Sequence, residues 1–593
     1  MIILKDAYVL TLNRNHECGM MSILIDENRI MDIAGVNETL PYDREKTKVQ
    51  KWIEKFGENA EIIDCSNKLI MPSFVNSCVR SEGSLFKYLL KNRHYENTEG
   101  DLCTDFIFNY LYQENQTEEM RNDLSNIYNF SFTGNLKSGI CLFNEFSLRK
   151  DLNHLHPISK ASENTGQKIS ACYPMKQDVK SFKDYKKIKH ANYLTDEGQL
   201  TIYDISFLSE LKNSGVKKLF LEVSTNKEIC AKFQRSFNKT IIKLLDEYGL
   251  IDNDTSLINP LYLTYDELQI LSEKKANIII CPSDLTYFSS RYLPFDDFVS
   301  SNIKFSIATG WTGSDIFSEL RLLRNKYKEL NIPSSEILGA ITTVPGELYF
   351  YDDQEYDNPC SISPNRFADL IFVDLSDARF QLFPENLSFE KVCDFLVDNL
   401  SPTNVTEVMV NGQFKVRNNK LMEGCEEDII SSAETTRKKL YEVGKYDELL
   451  LKKQPRHSFE KTDINKAEDE NMIQFSESSP EFVSDETNET FRIKSKLPVF
   501  RHKSLPGQKN LFEDTEKTEI MQPVTYQESP ELNLLYTEVE ESKIEDDEIL
   551  LTKIAETKLL KQSPDDNKEK NKKSIVDSKV ELPKNVKLKF GDD

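Results

Sequence analysis

The sequence predicts an α/β protein whose centre is an eight-stranded (β/α)8 barrel of the TIM type. Short apolar runs recur through the middle of the chain, separated by longer stretches with helical periodicity, and strands that alternate with helices indicate a parallel sheet covered by helices. Seven such runs fall within roughly 275 residues, a length that suits this barrel. No Gly-rich turn of the dinucleotide-binding kind is found, which disfavours the rival fold, an open doubly wound sheet. The runs are residues 69–76, 139–143, 168–172, 218–223, 257–261, 277–281 and 303–308.

The segments on either side of the barrel are predicted to form β-strands. In the first segment, residues 1–68, apolar and polar side chains alternate from residue 2 to residue 35, as in an antiparallel meander. The barrel is placed at residues 69–350. Strand patterns return in residues 351–425, where the pair Asn411-Gly412 fits a hairpin turn. We expect both flanks to fold together into one composite β-sandwich.

The last segment, residues 426–593, differs in composition from the rest of the chain. All 11 Cys and both Trp of the 593 residues lie at or before Cys425. Residues 426–593 carry 28 Lys and Arg against 38 Asp and Glu, so they contribute −10 of the net charge of −23. A stretch this charged is typical of disorder. We predict a long, acidic, mostly disordered tail with short helical islands, at 440–451 and 547–560, that recruits a protein partner.

Charge and cysteine usage narrow the class of protein. The excess of 98 Asp and Glu over 75 Lys and Arg argues against a nonspecific nucleic-acid binder, which needs clustered basic side chains. No apolar run approaches the ~18 residues that a membrane span needs, and the N-terminus does not resemble a signal peptide. The cysteines are scattered without a CxxC pair, which indicates reduced thiols. We expect a cytoplasmic protein.

Six short segments follow one another in an order that identifies a family. Together they resemble the amidohydrolase superfamily of metal-dependent hydrolases, in its cytosine deaminase, chlorohydrolase and aminohydrolase branch. The resemblance spans residues 1 to about 425 and covers none of the tail. The segments are residues 2–35, 63–76 (IDCSNKLIMPSFVN), 263–268 (LTYDEL), 281–283 (CPS), 315–322 (DIFSELRL) and 366–371 (RFADLI).

The resemblance implies a metal site at the carboxyl ends of the barrel strands. In the family, two His on strand one, one His each from strands five and six, and an Asp from strand eight surround one or two divalent ions, zinc or iron. Such an ion lowers the pKa of its bound water to about 7. A nearby Glu or Asp transfers protons to the leaving nitrogen.

At the positions of this chain that match the family's site, other residue types stand. Every expected His is replaced, so the sequence predicts no metal, no cofactor and no assigned catalytic residue. Arg80 is a permanent cation without an acceptor lone pair and should repel a metal, and Trp311 fills volume where the ion and its water would lie. Cys78 and Arg80 take the strand-one positions, Glu222 strand five, Thr225 the proton-shuttling Glu, Asn259 strand six, Tyr262 the aromatic position after it and Trp311 the strand-eight Asp.

The site without the family's metal ligands has several interpretations. We expect Arg80 and Glu222 to form an ion pair that fills it, because two charges in a desolvated barrel mouth need each other. Cys78 with Glu222 as ligands for a soft divalent ion, and Cys78 as a nucleophile activated by Arg80, are the alternatives. An inert thiol is favoured, because no His near it in sequence can act as a base.

The seven His residues do not occupy the family's positions. His154 and His156 have the spacing of a metal pair, but side chains two residues apart converge only on a strand. Here they precede a predicted helix, so we interpret them as a loop and the start of that helix. A relocated ion or phosphate site is the alternative.

Three hypotheses for function follow. The first is a metal-free pseudoenzyme that acts as a binding or regulatory scaffold, with a barrel mouth that holds a small molecule or is plugged. The alternative is an active hydrolase or deaminase that acts on carbon–nitrogen bonds other than peptide bonds with an atypical site. The third is a structural assembly subunit that forms homodimers through the barrel.

Overall fold

The computed structural model describes residues 1–445, except 42, 88–101, 114, 148–153, 175–188, 196, 290, 312, 351–359, 377 and 379–386. The described residues belong to one unit, Met1–Asn471. The predicted disorder of the tail beyond residue 445 and its helical island at 547–560 lie outside the described residues.

The strands form a flanking sheet, a barrel and a small ribbon. They are, in chain order, β1 Ile2–Leu10, β2 Cys18–Asp26, β3 Arg29–Gly35, β4 Thr39–Leu40, β5 Asp43–Thr47, β6 Glu61–Asp64, β7 Lys68–Pro72, β8 Phe74–Val79, β9 Ile140–Phe146, β10 Lys168–Tyr173, β11 Lys189–Leu194, β12 Leu219–Leu221, β13 Thr255–Ile258, β14 Asn277–Ile280, β15 Phe305–Ile307, β16 Leu370–Asp374, β17 Val405–Val410, β18 Gln413–Arg417 and β19 Lys420–Leu421.

The α-helices alternate with the barrel strands and extend beyond them. They are α1 Lys48–Phe56, α2 Leu102–Leu111, α3 Glu118–Lys137, α4 Leu155–Thr165, α5 Ile202–Asn213, α6 Lys227–Phe237, α7 Ile241–Glu247, α8 Tyr265–Glu273, α9 Pro282–Phe288, α10 Phe295–Ser300, α11 Ile316–Lys326, α12 Ser334–Gly339, α13 Thr343–Pro345, α14 Phe389–Asn399 and α15 Glu426–Val443. Among the described residues, each helix is too short or too polar to cross a bilayer.

Strands β8 to β15 form a parallel, nearly closed eight-stranded barrel in which each strand pairs with the next. A bridge between Val79 and Gly310 joins the first strand to the segment after the last, with the Gly310 amide donating to the Cys78 carbonyl at 2.9 Å. All residues of β8, β9 and β10 are buried, as expected of strands covered on both faces. The predicted α/β barrel is confirmed.

Aromatic side chains fill the barrel interior. The ring of Phe146 on β9 meets Tyr193 on β11 edge to face, with centroids 5.0 Å apart, and meets Phe220 on β12 in the same way at 5.1 Å. Phe220 in turn contacts Tyr349 at 5.4 Å. Such edge-to-face pairs add to the free energy gained from burying the rings, so the barrel holds a packed core.

Two strand predictions needed correction. The fourth barrel strand, β11, was not predicted, because its sequence KHANYL begins with polar residues and lacks a continuous apolar run. The first predicted run, 69–76, is divided between β7 of the flanking sheet and β8 of the barrel. The division falls at Ser73, whose amide donates to the Asp369 carbonyl at 3.0 Å.

The two flanks share one nine-stranded sheet in the order β19-β18-β17-β16-β7-β1-β2-β3, with β6 paired to β1. Strand β16, from after the barrel, lies antiparallel to β7, from before it, with Leu370 opposite Pro72. The predicted joining of both ends is therefore present as a single sheet. The further prediction of a two-layered sandwich is not confirmed and stays a prediction.

The folded part extends past residue 425, where the sequence placed the start of the tail. Helix α15 packs on α3, burying Leu440 completely. Thr436 donates to Asp123 at 2.9 Å, and Lys439 donates to the same carboxylate at 2.8 Å. Lys137 donates to Glu426 at 2.6 Å. The high average charge of residues 426–593 concealed this amphipathic helix, and the predicted tail therefore begins with a helix that packs on the body.

Candidate functional site at the barrel mouth

The carboxyl ends of the barrel strands bring the candidate residues together. Arg80 follows β8, Glu222 follows β12, and Trp311 follows β15. Parallel strands of a barrel all end at the same face, where sites of this fold lie. The three residues thus follow the carboxyl ends of barrel strands, where the resemblance places the family's site.

Arg80 and Glu222 form the expected ion pair. The Arg80 Nη2 donates to Glu222 Oε1 at 2.8 Å, and the Arg80 side chain is 2% exposed against 11% for Glu222. Tyr193 completes the group, because its hydroxyl accepts from Arg80 Nη1 at 3.0 Å and donates to Glu222 Oε2. Both carboxylate oxygens of Glu222 are thus engaged within the protein.

Three aromatic rings surround the same guanidinium. Its central carbon lies 4.9 Å from the ring centroid of Trp311, 5.5 Å from Tyr193 and 5.8 Å from Phe146. The negative faces of aromatic rings attract a cation, more strongly when water is excluded. We call the Glu222 carboxylate, the Tyr193 hydroxyl and these three rings the Arg80 cage.

Asp284, at the start of α9, is a buried carboxyl group beside the cage that sequence reasoning missed. Its Oδ1 accepts the backbone amide of Trp311 at 3.0 Å. Burial raises its pKa to about 8, although the charge of Arg80 and the hydrogen bond from Trp311 work in the opposite direction. A carboxyl group with such a pKa is a candidate for proton transfer near neutral pH.

Asn259 and two cysteines form a fully buried part of the site. Asn259 Oδ1 accepts the Cys281 amide at 2.8 Å, and Asn259 has a left-handed φ of 46°. Cys78 and Cys281 are fully buried, and burial raises the pKa of the Cys281 thiol well above its usual value. Reactive thiols are partly exposed and depressed in pKa, so the burial of Cys78 favours the inert thiol.

Thr225 and Tyr262 lie at the rim rather than in the cage. Both are half-buried, and Arg291 stacks over the Tyr262 ring at 4.5 Å. The carboxylate of this region comes instead from Glu197, whose Oε2 accepts the Ser224 amide at 2.8 Å. Glu197 follows the unpredicted strand β11, which explains why sequence reasoning did not find it.

Two further buried carboxyl groups lie at the carboxyl ends of the first two barrel strands. Glu82 accepts hydroxyl hydrogen bonds from Tyr128 at 3.0 Å and Ser147 at 2.7 Å. Glu145 accepts the backbone amide and the hydroxyl of Ser81 at 3.0 and 2.6 Å, and burial raises its pKa well above the usual range. Neutral donors satisfy these oxygens, which is the requirement for burying polar groups.

The residues at the family's metal positions do not fit a zinc or iron ion. Glu222 is committed to Arg80 and Tyr193, and the acceptor oxygen of Asn259 is taken by a backbone amide. Across the described residues, no group of three or more His, Cys, Asp and Glu is arranged to hold a metal. Guanidinium and indole groups are not metal ligands, so the side chains at these positions offer an ion no complete set of ligands.

The histidine pair follows the helical interpretation. His154 precedes α4 and is buried, with its ring 4.9 Å from that of Tyr173 in an edge-to-face contact. His156 is exposed. The two rings lie in different environments, so the relocated-ion alternative has no support in this geometry.

Comparisons with known proteins agree with the predicted barrel fold. No family model matches the chain. A 5'-deoxyadenosine deaminase of Methanosphaera stadtmanae is 23% identical over 473 residues, covering 74% of this chain and 99% of its own. A 5-methylthioadenosine/S-adenosylhomocysteine deaminase of Caldicellulosiruptor saccharolyticus is 19% identical over 470 residues, covering 74% and 99%.

Solved structures give the same result for the fold. A zinc-bound adenosine deaminase from Xanthomonas campestris superposes with a TM-score of 0.59 at 15% identity, covering 74% of this chain and 98% of its own. Guanine deaminase of E. coli gives 0.55 at 13% identity, covering 70% and 99%. The fold of this chain is that of these solved deaminase structures. The predicted resemblance to the amidohydrolase superfamily is confirmed.

Proposed function

We propose that this amidohydrolase-like protein is a binding or regulatory scaffold that does not perform the metal-assisted reaction of its family. The observation that carries the proposal is the commitment of Glu222 to Arg80 and Tyr193. In this interpretation the cage plugs the deepest part of the mouth, and a small molecule binds at the rim above it.

Electrostatics support the absence of a catalytic metal. Arg80 remains charged at every accessible pH. A divalent ion ~5 Å from a guanidinium is repelled by roughly 7 kcal/mol at an effective dielectric constant of about 20. The same ion would have to displace Arg80 from Glu222, leaving a buried guanidinium without its carboxylate.

The alternative is a working hydrolase or deaminase on carbon–nitrogen bonds. The comparisons support this alternative better than they support a scaffold, because the relatives are named as deaminases of 5'-deoxyadenosine and of 5-methylthioadenosine and S-adenosylhomocysteine. Asp284, with a pKa of about 8, is the group in this mouth best suited to move a proton. The names of the relatives also make a purine nucleoside the first ligand class to test under either hypothesis.

One experiment separates the two candidates. The purified chain is incubated with 5'-deoxyadenosine and with 5-methylthioadenosine, with and without added zinc, and both binding heat and released ammonia are measured. For a scaffold we expect binding without ammonia. Ammonia release that Asp284→Asn abolishes, and that the exposed-site control Asp266→Asn leaves intact, would establish the alternative and contradict the scaffold.

Other expectations from the sequence stay proposals. They are a cytoplasmic location, recruitment of a protein partner by the tail, homodimers formed through the barrel as a structural assembly subunit, and a composite sandwich of the two flanks. Light scattering of the full chain tests the dimer, and co-purification with the tail as bait tests the partner.

A further inference from the structure

We propose that the guanidinium of Arg80 is a built-in ligand that holds the barrel mouth together in place of a metal ion. This inference concerns how the mouth is held, and it stands whether or not the barrel binds a further molecule at its rim. It assigns the mouth as a guanidinium-binding site, occupied by a side chain of the same protein.

Arg80 contacts residues at the ends of several barrel strands, as a cation at the centre of the mouth would. Arg80 leaves the first barrel strand, Tyr193 belongs to the fourth, Glu222 follows the fifth, and Trp311 follows the eighth. The two guanidinium nitrogens that reach Tyr193 and Glu222 do so at 3.0 and 2.8 Å. One side chain thus ties together elements from different sides of the ring of strands.

Backbone contacts fix Arg80 at this position. The Arg80 amide donates to the Gly310 carbonyl at 3.2 Å, and the Gly310 amide donates to the Cys78 carbonyl at 2.9 Å. These bonds close the barrel between its first and last strands. The cation therefore projects from the seam of the barrel toward Glu222.

The cage matches a guanidinium better than an ammonium. A planar fork can donate to a carboxylate and a hydroxyl at once, whereas Lys presents a compact, strongly hydrated charge. The ring faces of Trp311, Tyr193 and Phe146, at 4.9 to 5.8 Å, suit a flat and weakly hydrated cation. The chemistry of the cage therefore selects a guanidinium group.

Chemical rescue tests this assignment. Arg80→Ala empties the cage and leaves Glu222 without its cation, so the thermal unfolding midpoint should fall by several degrees. Ethylguanidinium at low millimolar concentration should raise that midpoint in a saturable way, because a ligand that binds only the folded state stabilises it. Ethylammonium should raise it much less, and the wild-type midpoint should not respond to either. Equal effects of the two cations, or an equal response of the wild type, would overturn the proposal.

A matched control separates the cage from arginine pairs in general. Arg324 pairs with Asp398 at the surface, where the aspartate side chain is 52% exposed, so Arg324→Ala should show no rescue by ethylguanidinium. Zinc is the competing cation. Stronger stabilisation of Arg80→Ala by zinc than by ethylguanidinium would show that the mouth still prefers a metal, which contradicts the assignment.

A second variant keeps the proposal testable if Arg80→Ala does not fold. The double variant Arg80→Ala/Glu222→Gln removes both charges of the ion pair, so this protein should fold. Its loss of stability should be smaller than the sum of the losses in the two single variants. Glu222→Gln alone is the second single variant that this double-mutant cycle needs. Additive effects, or a double variant that is as insoluble as Arg80→Ala, would show that the pair does not hold the mouth.

Discussion

Asp284 can keep its buried position only because residue 310 is a glycine. Gly310 has a left-handed φ of 56°, and a Cβ atom there would overlap the Asp284 carboxyl group. The same short segment presents the Trp311 amide to Asp284 and the Trp311 ring to Arg80. One glycine therefore positions a proton-bearing group and an aromatic wall of the cage.

Glu319, on α11, provides a residue-scale test of the buried acids. It accepts the amide and hydroxyl of Ser283 at 2.8 and 2.6 Å, and burial raises its pKa to about 8. The folded state holds this proton up to a higher pH than the unfolded chain, whose glutamates ionise near about 4.3. The contribution to stability is therefore complete at low pH and is lost as the pH rises through about 8.

Glu319→Gln should remove this pH dependence. The amide can still accept from and donate to Ser283 and carries no charge, so the variant should be more stable than the wild type at pH 9 and similar to it at pH 5. Denaturant midpoints across this pH range measure the difference. The pKa of Asp284 is raised in the same direction, so the variant keeps part of the decrease in stability with rising pH. Parallel curves for the two proteins would contradict the raised pKa.

Among the elements, the strands decide how much of the site could be predicted. Strands one, five, six and eight have clear apolar runs, so Arg80, Glu222, Asn259 and Trp311 could be matched from the sequence to the family's site. Strand β11 lacks such a run, and its residue Tyr193 was missed for that reason. Asp284 was missed because no local pattern marks it, and only tertiary contacts bring the start of α9 to Trp311.

Helix α15 is the element whose role the sequence concealed. Its buried side chains Ala433, Thr436 and Leu440 recur every three or four residues, a weak signal inside a highly charged stretch. Asp123, which accepts hydrogen bonds from Thr436 and Lys439, lies more than 300 positions earlier in the chain. The resulting contact joins α15, which follows the flanking sheet, to α3, a helix between the first two barrel strands.

Truncation should therefore depend on where the chain is cut. Removal of residues 426–593 should lower the thermal unfolding midpoint by several degrees, whereas removal of residues 446–593 should leave it nearly unchanged. Leu440→Ala should cost about 2–5 kcal/mol because it opens a cavity, and Ile430→Ala, 43% exposed on the same helix, is its control. Equal midpoints for the two truncations would show that α15 does not stabilise the barrel.

At the scale of the whole molecule, the barrel and the flanking sheet are joined through buried charge. Lys168 on β10 pairs with Asp369, which also accepts the Asn411 amide at 2.7 Å, and the Lys168 ammonium lies 4.2 Å from the Phe367 ring centroid. Asp369 belongs to the RFADLI segment that carries part of the resemblance to the superfamily. The buried pair thus holds the barrel to its flanking sheet, while the Arg80 cage occupies the positions that match the superfamily's metal site.

Metal content tests the central claim most directly. The full chain is produced with zinc and iron in the medium, purified without chelators, and analysed for metals alongside its thermal unfolding midpoint with and without a chelator. We predict zinc and iron far below one ion per chain and a midpoint that the chelator does not change. One ion of zinc or iron per chain, whose removal lowers the midpoint, would contradict the claim that the Arg80 cage has replaced the metal.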